Sequence, residues 1–244
     1  MQNRYTGDIG DFGKLGLLRW LRSAGFSIGV NWYLVPDETH NQDGRHVSYL
    51  EDESYRTCDA PLWEGLRQIV HSGQREVRAL ENGHILDATF FSVPLEFSGK
   101  TRSERAALRE HWHEQALEGL SGVDVVFADP DNGLVVPSAA GTIKENKFVK
   151  PDELADYYRN GASVIYYQHK ARRSDSFYTE QHTRLIQNAN LDGANGMAMK
   201  FKTTSQRFYF FIVQPRHKAA IEESLQNLIT SSWGNHFCFL TIPR

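Results

Sequence analysis

The sequence predicts an α/β protein, Rossmann-like, with a mostly parallel sheet, helices on both faces and an antiparallel hairpin near the C-terminus. Three observations predict it. Short β-rich runs alternate with amphipathic helical periods along most of the chain. Residues 123–128 are almost continuously apolar, as a strand covered on both faces requires. Two β-rich runs, residues 197–202 and 208–213, flank a polar turn and pair naturally across it.

The elements follow in order. Residues 14–23 carry Leu15, Leu17, Leu18 and Leu21 beside Arg19 and Arg22, an amphipathic helix closed near Gly25. Residues 29–35 form a short apolar strand stopped by Pro36, residues 62–70 read as helix, and residues 85–91 as extended chain. Residues 102–120 form a helix with Ala106, Leu108, Trp112, Ala116 and Leu120 on its apolar side, and it stops before Gly122. After the 123–128 strand, Pro151-Asp152-Glu153 opens a helix, with proline in the first turn and acids beside the positive end of the dipole, and Gly161 ends it. Residues 163–167 are a strand, 178–187 a helix, 218–231 a last helix and 236–241 a terminal strand. No repeat, low-complexity tract or linker divides the chain, so residues 1–244 are read as one domain.

Composition limits the function classes. Hydrophobic residues make up 40% and charged residues 23%, which excludes a disordered chain. No apolar run approaches the roughly 20 residues of a membrane helix, and the first eight residues lack the pattern of a signal peptide. A cytoplasmic protein with no membrane partner is expected. Cys58 and Cys238 belong to no Cys/His cluster, which argues against a zinc site or a disulfide framework. The net charge is -3, yet basic residues gather in 144–150, 170–173 and 200–207. If they share a face they meet a phosphate backbone; otherwise they are a solvated surface. Nucleic acid is thus expected as a substrate more than as a structural partner.

In such a sheet, ligands bind beyond the carboxyl ends of the strands. That rule selects Asp129, Asp131 and Asn132 after one central strand, Gln168 and His169 after the next, and Asp37, Glu38 and His40 after the first. The Asp129-Pro130-Asp131-Asn132 segment also suits a tight turn, but two neighbouring carboxylates need a metal, a cation or a substrate donor, and Lys144 or Lys147 can supply the cation. His169 is either a general base, a metal ligand or a hydrogen-bonded structural histidine. The run from Gly7 to Lys14 places Asp8, Asp11 and Lys14 among three glycines. It reads as a flexible start to a helix with an aspartate cap, or as backbone that approaches a ligand. It is not a P-loop.

A second pattern overlaps the first. Pro130-Asp131 followed by Glu145-Asn146-Lys147 matches PD, a gap, then ExK, in which Asp131 and Glu145 hold Mg²⁺ and Lys147 steadies the attacking water of a nuclease or phosphodiesterase. Residues 142–149 are then a strand or a loop.

Gly7-Asp8-Ile9-Gly10-Asp11-Phe12-Gly13-Lys14 resembles the opening motif of the bacterial large-subunit ribosomal RNA adenine-N6 methyltransferases. Asp129-Pro130-Asp131-Asn132 lies where that family has its catalytic Asp-Pro-Pro-Tyr, and the strand and hairpin of residues 161–213 fall in similar order. The resemblance implies S-adenosylmethionine-dependent methyl transfer to a nucleic acid, with Asp129 accepting from the target amine and Asp8, Asp11, Lys14 and Asp37 near the cofactor. It also has departures. Val35-Pro36-Asp37-Glu38-Thr39-His40 replaces the family's glycine-rich loop, and Asn132 replaces the aromatic residue that stacks on the extruded adenine. The sequence is therefore read as an enzyme acting on nucleic acid or a nucleotide on a methyltransferase-like scaffold. The alternatives are the Mg²⁺-dependent reading and a catalytically degenerate binding module that uses Tyr5, Trp32, Tyr33, Tyr166 and Tyr167.

Overall fold

The computed structural model describes all residues except 39–43, 84, 192, 204–205 and 244, so His40 lies outside the described residues. The chain opens with helix α1 (Ile9–Ser23), strand β1 (Ile28–Asn31) and three helices, α2 (Glu53–Arg56), α3 (Ala60–His71) and α4 (Val77–Asn82). Strand β2 (Thr89–Phe91), helix α5 (Arg102–Gly119) and strand β3 (Val125–Ala128) follow. A small excursion holds β4 (Gly133–Leu134) and β5 (Phe148–Val149), and leads to α6 (Pro151–Arg159) and β6 (Ser163–His169). Helix α7 (Asp175–Asn188), the hairpin β7 (Asn195–Phe201) and β8 (Arg207–Val213), helix α8 (Lys218–Thr230) and β9 (Phe237–Phe239) complete it.

Seven strands form one sheet in the order β2-β1-β3-β6-β8-β7-β9. The first four are mutually parallel. The contacts β6 to β8, β8 to β7 and β7 to β9 are antiparallel. The sheet is therefore mixed, and the expectation of a mostly parallel sheet is corrected. The cause lies in the connections. Helices carry the chain between β1, β2, β3 and β6, which forces parallel pairing, but α7 delivers β7 one place beyond its neighbour and leaves a slot that β8 fills by turning back. Every residue of β8 is buried, as a strand in that slot must be.

Side chains alternate across the sheet into two apolar layers. Val125 and Phe127 of β3 face α1, α3 and α8, where Leu15, Leu66 and Leu225 pack. Val126 and Ala128 face α5, α6 and α7, where Trp112, Leu154 and Leu185 pack. Helix α5 starts with a capping box in which Thr101 and Glu104 satisfy each other's backbone amides.

Helix α1 begins at Ile9, five residues before the helix expected from Lys14. Asp8 caps it, accepting from Gly10 N at 2.7 Å and Asp11 N at 3.1 Å. Two glycines inside it set the packing. A Cβ on Gly13 would lie 2.7 Å from the Phe201 ring, and one on Gly16 2.2 Å from the Trp233 ring. Glycine costs about 1 kcal/mol per site in a helix; here Gly13 lets α1 lie close against β7, and Gly16 lets it lie close against Trp233 in the 3-10 turn Ser232–Asn235. Among the described residues no helix is long and apolar enough to cross a membrane.

Candidate functional site

Strand order reverses beside β1, since β2 lies on one side of it and β3 on the other. Ligands of open α/β sheets bind at such a reversal, beyond the carboxyl ends of the strands. In this chain the crevice between β1 and β3 holds Met1. Its ammonium donates to Tyr33 O and Asp129 O, both at 3.0 Å. Its carbonyl accepts from Val35 N at 3.0 Å.

Beside this wedge lies a cavity of about 370 Å³, lined by Asp8, Asp11 and Lys14 from the start of α1, by Asp129, Asp131 and Asn132 after β3, and by Tyr167 and His169 at the end of β6. Glu38, His46, Lys147 and Arg207 close its sides. The volume falls in the range of small-molecule sites, roughly 300–1,000 Å³. Acidic groups separated by more than a hundred residues thus share one rim of the sheet.

Lys14 is the centre of the floor. Its ammonium lies 2.9 Å from Asp11 Oδ1 and 2.5 Å from Asp129 Oδ2, and all three side chains are buried. Burial opposes its charge, but Asp11 and Asp129 overcome that and hold the Lys14 pKa above its ordinary value. Burial raises the Asp129 carboxyl above the usual carboxylate range, against the pull of Lys14. Burial raises Asp11 too, again against Lys14, and the Asp8 charge adds to the rise. Asp11 Oδ2 also accepts from Gly7 N at 2.8 Å.

Asp131 behaves differently. Burial would raise it, but the Met1 ammonium at 2.8 Å, Gln2 Nε2 at 2.5 Å and Lys147 at 4.0 Å outweigh burial and hold its carboxyl below the usual range. Two carboxylates two residues apart are thereby given opposite proton affinities, the arrangement by which one fold separates an acid-base group from an electrostatic one.

The turn that carries them is clamped from β6. Gln168 Oε1 accepts from Leu134 N at 2.9 Å, and its Nε2 donates to Asn132 O and His169 O, each at 2.9 Å. Gly133 has φ +103°, and a Cβ there would meet Gln168 Oε1 at 2.1 Å. Gln168, buried, holds the turn instead of facing a ligand.

Of the residues expected from the sequence, the cavity gathers Asp8, Asp11, Lys14, Asp129, Asp131, Asn132, Lys147 and His169. It does not gather Asp37 or Glu145. Asp37 is exposed and accepts from Arg4 N at 3.2 Å. Glu145 sits in the 3-10 turn Ile143–Lys147 and faces Lys150 at 3.5 Å, so the ExK segment is a turn and does not bring Glu145 to the cavity wall. Among the described residues no group of three or more His, Cys, Asp or Glu side chains is placed to hold a metal ion. Lys144 is exposed outside the cavity; Lys14, not Lys144, is the cation beside Asp129.

Arg207 and His46 were not expected as site residues. Arg207 Nη2 lies 3.6 Å from Asp8 Oδ2, and its guanidinium packs over Gly10, where a Cβ would lie 2.6 Å from Nε. Gly10 therefore makes room for an arginine of the same protein, a signal the sequence carries only as a glycine in a helix and a basic run at residues 200–207. Tyr167, whose phenol burial pushes up to about 12, forms the inner wall. Comparison with protein-family models and with curated proteins finds no match for this chain.

Proposed function

We propose that the chain is an enzyme acting on a nucleotide, free or within a nucleic acid, with Asp129 as the group that accepts a hydrogen bond or a proton from the reacting amine. One observation carries this reading: a buried carboxyl with raised proton affinity, braced by Lys14, opens on a cavity of about 370 Å³ with Lys147 and Arg207 in its walls. The carboxyls of the floor suit the amino groups of a base, and a phosphate would draw Lys147 from its pair with Glu38 and Arg207 from Asp8. Asp131, kept ionised, supplies fixed negative charge beside Asp129.

The finer reading of the scaffold as methyltransferase-like is supported by the four parallel strands with a reversal beside β1, followed by the β7–β8 hairpin. S-adenosylmethionine, which the resemblance implies, fits the residues poorly. Where a glycine-rich loop would lie against it, Trp32 and Tyr33 are buried and Val35 N is bonded to Met1. Mg²⁺ fits the residues no better, because Glu145 faces Lys150 and is not part of the cavity lining.

The test is calorimetric titration of the protein with AMP, CMP, GMP and UMP, repeated on Asp129→Asn. The reading expects saturable binding of at least one nucleotide, weakened about tenfold or more by the substitution, as loss of a buried charge-assisted hydrogen bond requires. No binding of any of the four at millimolar concentration sinks it.

A further inference from the structure

The basic run Lys170-Ala171-Arg172-Arg173 plays no part in the cavity, yet it starts at its edge. Strand β6 ends at His169 in the cavity wall, and the chain passes through this run directly into α7. The run is held in place. Lys170 N donates to Gln206 O at 3.4 Å, and Ala171 N donates to the Tyr178 hydroxyl at 2.8 Å. Asp175, the acid that follows, lies between Lys170 Nζ at 2.7 Å and Lys200 Nζ at 2.9 Å. The next acid, Glu180, faces Arg184 at 3.5 Å.

What the strip presents to solvent is therefore cationic and aromatic. Arg172 and Arg173 are exposed. The Arg173 guanidinium lies 5.4 Å from the centre of the Phe177 ring, which is 39% exposed on the first turn of α7. Guanidinium groups that bind phosphates, next to a partly exposed aromatic ring, form the kind of platform on which bases of an unpaired strand stack. The adjoining cavity is a concavity of about 370 Å³ whose floor is buried, and a base reaches such a floor only when it is unpaired.

We propose that the strip from Arg172 to Phe177 is the docking track of a single-stranded nucleic acid, one nucleotide of which enters the Asp129 cavity. This rests on the nucleotide reading of the cavity, and the experiment separates the two. A labelled single-stranded 12-mer, in DNA and RNA forms, is titrated by fluorescence anisotropy, with the matching duplex, AMP and poly-glutamate as competitors. The wild-type protein is expected to bind a single-stranded 12-mer at least tenfold tighter than AMP and tighter than the duplex, with little competition from poly-glutamate.

Phe177→Ala is expected to weaken the oligonucleotide about fivefold or more, the fold-change of one lost base stack. The pair Arg172→Ala and Arg173→Ala is expected to lower the slope of log affinity against log salt by about 1.4, for two phosphates of a single strand. Both variants lie on the surface and are expected to bind AMP as the wild type does. Oligonucleotide affinity no better than that of AMP, preference for the duplex, equal competition by poly-glutamate, or no effect of either variant overturns the track while leaving the cavity reading intact. If none of AMP, CMP, GMP and UMP binds either, both readings fall.

Discussion

The ammonium of Lys14 lies 2.5 Å from the carboxylate of Asp129, joining the first turns of α1 to the end of β3 across 115 residues of chain. The contact is buried on both sides. With Asp11 at 2.9 Å, one lysine compensates two carboxylates. Breaking a buried pair by removing one partner costs about 3–5 kcal/mol, because the remaining charge is left unpaired in a poorly solvated place.

Lys14→Met is accordingly expected to lower the unfolding free energy by about 3–5 kcal/mol. Adding Asp129→Asn to it is expected to restore part of the loss, since one unpaired charge is then removed. Urea denaturation followed by circular dichroism measures both. A loss below about 1 kcal/mol for the single variant would mean that the ammonium is solvated, in the range of exposed pairs.

The pH dependence of stability has two limbs of opposite sign. Glu153 is buried; burial would raise it, but Arg109 at 2.6 Å outweighs burial and depresses it, as the Met1 ammonium does Asp131. A depressed carboxyl gives stability that is present above its unfolded pKa, about 4, and is lost as pH falls through the folded value. Asp129 and Asp11 are raised, so the native state binds more protons than the unfolded one, and their contribution is lost as pH rises from about 4 through the folded values. Glu153→Gln is expected to flatten the acid limb and Asp129→Asn the falling limb above it. Urea midpoints collected between about pH 2 and pH 8 decide this, and an unchanged acid limb in Glu153→Gln contradicts it.

Two glycine substitutions separate packing from helix propensity. Gly16→Ala places a methyl 2.2 Å from the Trp233 ring and is expected to destabilise by about 1–3 kcal/mol. Gly119→Ala, at the exposed end of α5 with Phe91 at 3.7 Å, is expected to stabilise slightly, by up to about 1 kcal/mol. Melting temperatures that move in the same direction for both would refute the close approach of α1 to Trp233.

Gln168→Ala leaves the Leu134 amide and the Asn132 carbonyl without their partner. The expected effects are a loss of about 1–3 kcal/mol and faster hydrogen exchange at Leu134, with exchange in β8 tracking only the global change. Unaltered exchange at Leu134 would show that the turn stands without the clamp.

What the sequence made legible followed from local chemistry. Helix α5 was readable because periodic apolar residues and a glycine stop are local signals, and α6 because Pro151 and two acids mark its start. At the start of α1 the aspartate cap was readable, but not that the helix runs from Ile9 through Gly10 and Gly13. Gly10 and Gly13 look like chain breakers until Phe201 and Arg207, nearly two hundred residues away, pack against them. The antiparallel half of the sheet escaped for a related reason, since the place where α7 delivers β7 depends on tertiary packing. In the site, strand ends pointed to Asp129, Asp131 and His169, whereas the direction in which Glu145 turns depends on Lys150, and Arg207 had only a basic run to mark it.

The most direct measurement of the central claim is a ¹⁵N-resolved NMR titration with each of AMP, CMP, GMP and UMP. Binding at the Lys14–Asp129 floor predicts saturable shifts at the amides of Asp11, Lys14, Asp129, Asn132 and Tyr167, absent in Asp129→Asn. Saturable shifts confined to other parts of the molecule, or shifts at these amides that persist unchanged in Asp129→Asn, would contradict it.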